Sequence, residues 1–451
     1  MPLCAFGELA GYGAAGRIVA GIQGQERGKT AMRVIFVNRY FHPDQSATSR
    51  MVSALAFGLA RHGTEVAVIA SRTRHDDPES LLAGTESCAG VEIARLATTR
   101  FGRHSLPGRM LDYLSFHLTA FLWLLRHVRR GDVVVVCTDP PLISLACGLP
   151  VRLRGGEMLN WIMDLFPETA VELGLFSRTP FLGRFATFLR DRSISRSRLS
   201  ICPMETMAEF LRERALPADR IKVLHHWSDT AEIRPIAKEQ NPLRAAWGYS
   251  KKFVVGYSGN FGRAHEFTTL VDAATLLRDR EDIAFLMIGG GYKLASVTAA
   301  VRERKLTNVT FKPLQPAEHI AQSLGVPDVH VVSLLPHLEH CIIPSKFYGI
   351  LAAGRPTLFI GDPKGSVATV IDAHRCGVNI AIGEAERLAE TIAALADAPE
   401  RAAAMGAAAR AVLEADYAYE RALVRWRSLF RTLSGDNLLP SQSRVLEEEP
   451  S

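Results

Sequence analysis

Residues 32–70 read MRVIFVNRYFHPDQSATSRMVSALAFGLARHGTEVAVIA, and this stretch decides the fold. Val34-Ile35-Phe36-Val37 is an unbroken apolar run of strand length. Phe41 to Thr48 carries Pro, Asp, Gln and Ser and reads as a turn. Met51 to His62 has apolar residues at helical spacing and closes at Gly63, and Glu65 to Ala70 is a second strand. Strand, helix and strand in this order make a βαβ unit, the seed of a parallel sheet.

The same grammar continues outward. Asp132–Val136, Leu159–Met163 and Leu199–Cys202 read as strands with helical text between them. A second, similar half begins after Pro235. Phe253–Ser258 is its first strand, followed by a glycine-rich turn and a helix from Glu266 to Leu277. Ile283–Ile288 repeats the strand and ends in Gly289-Gly290-Gly291; strand text recurs at 309–311, 329–332 and 357–360. The expected class is α/β, with two Rossmann-like, doubly wound domains facing across a cleft, 32–236 and 237–415. A helix over 416–433 has no strand after it and is expected to pack back across the domains. Residues 1–31 read as a flexible leader and 434–451, ending in three glutamates, as a disordered tail.

Composition narrows the class. The 451 residues are 47 % hydrophobic and 22 % charged, which excludes a mostly disordered chain. A net +6 is too small to mark a nucleic-acid binder, and its distribution says more. Residues 32–236 hold 26 basic and 21 acidic side chains, residues 237–415 hold 19 and 18. Within the first half, Arg100, Arg103, Arg109, Arg126, Arg129 and Arg130 face Asp112 alone across 100–130. Tyr113–Leu125, rich in aromatics and leucine and followed by those arginines, reads equally as an interfacial helix or as a core helix with a basic end. Nowhere does an apolar run reach the ~20 residues of a spanning helix. Seven scattered cysteines lack metal-ligand spacing and suit a reducing compartment.

Ligands of such sheets bind beyond the carboxyl ends of the strands, so the turns hold the candidate chemistry. In Pro344-Ser345-Lys346-Phe347 a helix start can meet a diphosphate, with Ser345 adding a hydroxyl and Lys346 a full charge. In Gly256–Arg263 glycines after a strand let backbone approach a ligand, and Arg263 suits phosphate oxygens. Neither GxGxxG nor a P-loop is present. Asp164, just past a strand, is placed to orient a hydroxyl or to face positive charge at a sugar carbon. The equally plain readings are a capped helix, a sterically required glycine turn and an Asp that caps a turn. His225-His226 lacks a third ligand for a metal.

Taken together, residues 41–48, WIMDLFPETAVELG (161–174), YSGNFGRAH (257–265) and PSKFYGILAAGRP (344–356) resemble the GT-B glycosyltransferases of retaining family four. The closest likeness is to the branch that makes bacterial surface polysaccharide, of colanic-acid, O-antigen and L-fucosamine-transferase type. The resemblance covers about 32–430. It implies a sugar moved from a nucleotide-diphosphate sugar to a polyprenyl-diphosphate-linked glycan acceptor, with retention. It implies Asp164, Arg263 and Lys346 at the reaction centre, and Gly259, Asn260, Gly262, Gly290, Ser345 and Lys346 around the donor. Ser46, Ala47 and Thr48 fall on the acceptor side. No metal or other cofactor is implied, since such folds neutralise the leaving diphosphate with cations and helix dipole. A cytoplasmic enzyme, peripheral on the anionic inner face of the membrane, is the expected setting. Departures from the pattern are specific. The family's Glu-x7-Glu pair falls at Cys341 and Gly349, its Arg and Lys after the first C-terminal strand at Asn260 and His265, and its His before Asp at Met163. These departures keep alternatives in view: a sugar-nucleotide epimerase, a GT-B enzyme with a soluble acceptor, or a non-catalytic nucleotide-sugar-binding subunit.

Overall fold

The computed structural model of the chain describes residues 32–435, apart from 76, 78, 103, 104, 175, 177, 178 and 215 and the side chain of Leu106. The leader 1–31, the tail beyond Gly435 and Arg103 lie outside the described residues.

Two sheets organise the chain. The first uses β1 (Arg33–Val37), β2 (Glu65–Ser71), β3 (Thr85–Cys88), β4 (Val91–Leu96), β5 (Val133–Cys137), β6 (Glu157–Trp161), β7 (Leu199–Cys202) and β8 (Ile221–Val223). Their order is β3-β4-β2-β1-β5-β6-β7-β8. The second uses β9 (Phe253–Asn260), β10 (Ile283–Gly290), β11 (Val309–Lys312), β12 (Val329–Ser333), β13 (Thr357–Ile360) and β14 (Gly377–Ile380). Their order is β11-β10-β9-β12-β13-β14. The strands pair in parallel, as β1 with β2 and β9 with β10 and β12, whereas β3 and β4 form an antiparallel hairpin at one edge. Parallel strands are covered on both faces, which is why β5 is all valine and cysteine and buried throughout. The result is two Rossmann-like α/β domains.

Several element boundaries differ from the sequence expectation, each for a local reason. The first helix is Ala47–Arg61 and begins four residues before Met51. Asp44 accepts from the backbone N–H and the hydroxyl of Ser46, and Ser49 Oγ donates to the Asp44 carbonyl, so the turn closes early. β6 ends at Trp161, leaving Ile162 and Met163 outside it. The helix placed from Glu266 is Thr268–Leu276, because the Glu266 carboxylate caps it, accepting from the N–H groups of Thr268 and Thr269. β9 and β10 run on to Asn260 and Gly290, so these glycine segments are strand ends rather than turns. The β3–β4 hairpin went unread because TESCAGVEIARL is only half apolar. Ala89 and Gly90, both at positive φ, make its turn.

The last helix, Tyr419–Ser434, takes in Ser434, which the sequence reading gave to the tail. Trp426 is wholly buried, its ring centroid 4.8 Å from that of Trp161, which in turn stacks on Trp227 at 5.9 Å. Ser228 and the turn before this helix exchange backbone hydrogen bonds, Ser228 N to Tyr417 O and Tyr419 N to Ser228 O. The chain divides into two compact units. One runs to Val135 and takes in Leu149–Met158; the other comprises Val136–Gly148 and the chain from Leu159. Among the described residues no helix is long and apolar enough to cross a membrane.

Candidate active site

The ends of β9 and β10 approach each other closely, residue against residue from Gly289–Gly259 to Gly290–Asn260. Gly289 has φ of 145°, and a Cβ there would lie 1.9 Å from the carbonyl oxygen of Gly259. Gly259 is itself at φ 133°, and a Cβ on it would meet Lys346 Cε at 3.2 Å. Only glycine permits both approaches. The space beside Gly259 is therefore filled by the Lys346 side chain, which reaches back over β9 from the next segment.

Lys346 Nζ donates to Tyr257 Oη at 2.5 Å and lies 3.9 Å from the centre of that ring. Tyr257 in turn donates to the Asn260 carbonyl at 2.7 Å, which fixes its hydroxyl as an acceptor for the ammonium. The Lys346 side chain is surrounded by Tyr257, Gly259 and the strand ends. That loss of water lowers its pKa to about 7. Its charge is felt by His265, whose Nδ1 donates to Ser333 O at 2.5 Å and whose pKa falls to about 3 through burial and then Lys346. Lys293 Nζ donates to the His265 carbonyl at 2.6 Å, and burial lowers its pKa also. Among the described residues neither Lys346 nor Lys293 has a carboxylate in an ion pair. The Glu266 carboxylate acts on Lys293 only from beyond ion-pair distance, and lysines without a close carboxylate at strand ends suit an anionic ligand.

The other expected donor residues surround this centre. Asn260 is exposed at the end of β9. A Cβ on Gly291 would meet its Oδ1, and one on Gly262 would meet its Nδ2 at 3.2 Å. Gly290 faces open space. Arg263 is exposed, its guanidinium 3.9 Å over the ring of Tyr292. Ser345 is exposed and precedes the helix Lys346–Ala352, and its hydroxyl makes no cap hydrogen bond. That helix has only seven residues, so the side-chain charge of Lys346 outweighs its dipole.

Asp164 follows β6 and is exposed at the surface. Its backbone N–H donates to Thr138 Oγ1 at 3.5 Å, and the N-cap of the following helix, Glu168–Glu172, is Pro167. Protein atoms crowd the concave wall in which it sits and raise its carboxyl to about 6, so it remains largely ionised at neutral pH. The next residue, Leu165, donates its N–H to the Cys341 carbonyl at 2.9 Å. That bond ties the Asp164 segment to the loop that leads into Ser345 and Lys346. Ser46, Ala47 and Thr48 belong to the other compact unit, at the start of the Ala47–Arg61 helix.

Cys341 and Gly349, where the family pattern has carboxylates, supply none. Cys341 is fully buried with its thiol pushed up to about 12 by desolvation, and Gly349 lies inside the short helix. Two residues before Cys341, Glu339 is buried with its carboxyl raised to about 8 by desolvation and then by Asp362. Two contributors escaped the sequence reading, Tyr257 and Lys293. Lys293 stands two residues past a glycine run that ends a strand, a signal that was legible. Tyr257 alternates inward in an apolar strand and carries no signal of its own.

Comparison with known proteins agrees with this geometry. Residues 46–227 match the glycosyl transferase 4-like domain, and residues 240–412 match glycosyl transferases group 1. The chain is 24 % identical over 405 residues to WbjE of Pseudomonas aeruginosa, named as a glycosyltransferase, covering 90 % of this chain and 99 % of that one. It is 25 % identical over 252 residues to WcaI of Escherichia coli (strain K12), named as a colanic acid biosynthesis glycosyl transferase, covering 54 % of this chain and 61 % of that one. Among solved structures, Anabaena HepE in complex with UDP and glucose superposes with a TM-score of 0.66 at 13 % identity, covering 89 % of this chain and 100 % of that chain. Two glycosyl transferase domain models in sequence order, together spanning most of the chain over two Rossmann-like sheets, place it: it belongs to the family-four GT-B glycosyltransferases.

Proposed function

We propose that the protein transfers a sugar, with retention, from a nucleotide-diphosphate sugar to a lipid-linked glycan acceptor. The observation that carries the donor half is the meeting of Lys346 and Lys293 at the glycine-lined ends of β9 and β10, with no carboxylate paired to either. The leaving nucleoside diphosphate rests there, its oxygens taken by Lys346 and Lys293, with Arg263 turning from Tyr292 to reach an outer oxygen. Charge that develops as the glycosidic bond breaks is stabilised by cations already in place, which costs no reorganisation. HepE, a protein of the same fold, binds UDP, which supports a nucleoside diphosphate as the group held. Asp164 sits beside the donor loop through the Leu165–Cys341 hydrogen bond and orients the acceptor hydroxyl.

The lipid-linked nature of the acceptor is supported by the Leu106–His127 helix. Met110, Leu111, Leu114, Leu118 and Leu122 are all exposed on it, while Phe116, Ala120 and Leu124 are buried. At about 100° per residue the exposed five share an arc of about 120°. Arg126, Arg129 and Arg130 are exposed at its end. An apolar stripe ending in cations fits an anionic membrane surface. The test is a panel of nucleotide sugars incubated with the protein and a membrane extract of lipid-linked acceptors, followed for diphosphate release and for the anomeric configuration of the product. Release that depends on extract, with the donor's anomeric configuration kept, is the expected result. Epimerised donor without transfer, or no turnover of any donor, defeats the reading.

A further inference from the structure

Beneath Asp164 lies a cavity of about 40 Å³, enclosed by the ends of β5 and β6 and by the helix Pro180–Arg196. By volume it admits two or three water-sized groups. Its walls are apolar where Val136, Ile162 and Ile194 face it, and polar where Thr138, Ser144, Asn160 and Arg190 do; Asp164 stands at its rim.

The polar groups are only partly satisfied. Thr138 Oγ1 receives two long contacts, 3.4 Å from Met163 N and 3.5 Å from Asp164 N. Ser144 Oγ accepts from Ser193 Oγ at 2.8 Å, and Asn160 Nδ2 reaches Ser200 Oγ at 3.4 Å. Arg190 is 6 % exposed. Its Nε donates to Asp191 and its Nη2 to Glu168, while Nη1 has no partner. A buried guanidinium nitrogen left unbonded costs free energy, so a hydrogen-bonding occupant is favoured.

The occupant's chemistry follows from the charges. Arg190 is already paired with two carboxylates, and Asp164 adds a negative charge at the rim, so an anionic group is repelled. A bare methyl leaves the Arg190 Nη1 unbonded and offers nothing to the hydroxyls of Thr138 and Ser144. A hydroxymethyl group has two heavy atoms, an apolar carbon for the β-strand wall and a hydroxyl that both donates and accepts. We propose that this cavity is an acceptor subsite for the primary-alcohol branch of a hexose, with Thr138, Ser144 and Arg190 selecting it over a 6-deoxy sugar. The proposal rests on the reading of Asp164 as the acceptor-side carboxylate.

The test is ligand-observed saturation-transfer NMR with the methyl glycosides of glucose, galactose and mannose and their 6-deoxy counterparts, using the full chain. At least one hydroxymethyl sugar is expected to bind about tenfold more tightly than its 6-deoxy partner, with its C6 protons the most strongly saturated. Ser144→Val fills the cavity and Thr138→Val removes one hydroxyl at constant shape; each is expected to abolish most of that preference. Thermal unfolding of both variants reports whether they are folded, and the isosteric Thr138→Val carries the result if Ser144→Val is not. Equal binding of each sugar pair by the wild type, no binding of either, or a preference untouched by a folded Thr138→Val overturns the proposal. Turnover of nucleotide sugars by the same wild-type sample reports the glycosyltransferase reading separately. A protein that discriminates the sugars but turns over no donor refutes that reading and keeps the subsite.

Discussion

Two titrating residues stand at the centre of the proposed chemistry, and their shifts have opposite consequences. The protein atoms crowded around its concave seat raise Asp164 to about 6, so its carboxylate is lost as pH falls through that value. Burial lowers Lys346 to about 7, so its ammonium is lost as pH rises through that value. If transfer needs the carboxylate and the cation together, kcat/KM measured against pH is bell-shaped, with an acid limb near 6 and an alkaline limb near 7. Lys346→Arg is expected to erase the alkaline limb, because a guanidinium stays charged. Lys346→Ala is expected to lower kcat by about 10²- to 10³-fold, the usual cost of one charge-stabilising group. Wild-type kinetics in that variant would remove Lys346 from the site. The same burial has a stability sign. The folded pKa lies below the unfolded one, so between about 7 and 10.5 the unfolded chain binds more protons and stability from this group rises with pH. Lys346→Met is therefore expected to unfold at a temperature no lower than the wild type at pH 7, which separates lost activity from lost fold. At this scale the sequence was a partial guide. Lys346 stood out as a cation at a helix start and Arg263 as one beside glycines. The reach of Lys346 across Gly259 did not, because it joins residues 87 positions apart.

Helices and strands show where periodicity suffices and where it fails. The leucine-rich stretch after Phe101 was legible either as an interfacial or as a core helix. The structure gives it both faces, Phe116, Ala120 and Leu124 inward and five large apolar residues outward. Asp112, the single acid of that stretch, is consumed internally. It accepts from Thr99 Oγ1 and from the N–H groups of Phe101 and Gly102, and lies 3.7 Å from Arg39. The arginines at the helix end thus face outward without it. Replacing Arg126, Arg129 and Arg130 together by Gln is expected to weaken co-sedimentation with phosphatidylglycerol vesicles by about 100-fold at low salt, at about 1 kcal/mol per residue. Binding equal to the wild type would return these charges to a solvated surface. The C-terminal helix makes a second element-scale prediction. Trp426 fills a fully buried site against Trp161, so Trp426→Ala is expected to cost about 3–5 kcal/mol in urea unfolding. The β3–β4 hairpin and β14 were missed because short, half-polar strands at a sheet edge owe their form to a neighbour, and no neighbour is visible in a linear pattern.

At the scale of the whole molecule, the order of strands and helices gave two Rossmann-like domains, and the chain forms a parallel sheet of six strands and one of eight that is parallel but for its β3–β4 edge. Doubly wound sheets are legible because most of their strands are buried apolar runs and most of their connections contain a helix. Donor binding acts on this whole. A nucleoside diphosphate that binds only the folded chain is expected to stabilise it by about 2.7 kcal/mol at one hundred times its dissociation constant. UDP and GDP titrated against the thermal midpoint should then rank the base, and a midpoint moved by neither would count against the cation cluster as their seat. The tryptophans give the molecule an optical consequence. Three of its five, Trp161, Trp227 and Trp426, lie in ring contact inside one buried cluster, so much of its ultraviolet emission arises from a single apolar spot and shares excitation there. A fourth, Trp123, stacks on His127 at 4.4 Å within the Leu106–His127 helix. The two sources are separable by heat: light that shifts to the red on unfolding of the cluster comes from release of the C-terminal helix.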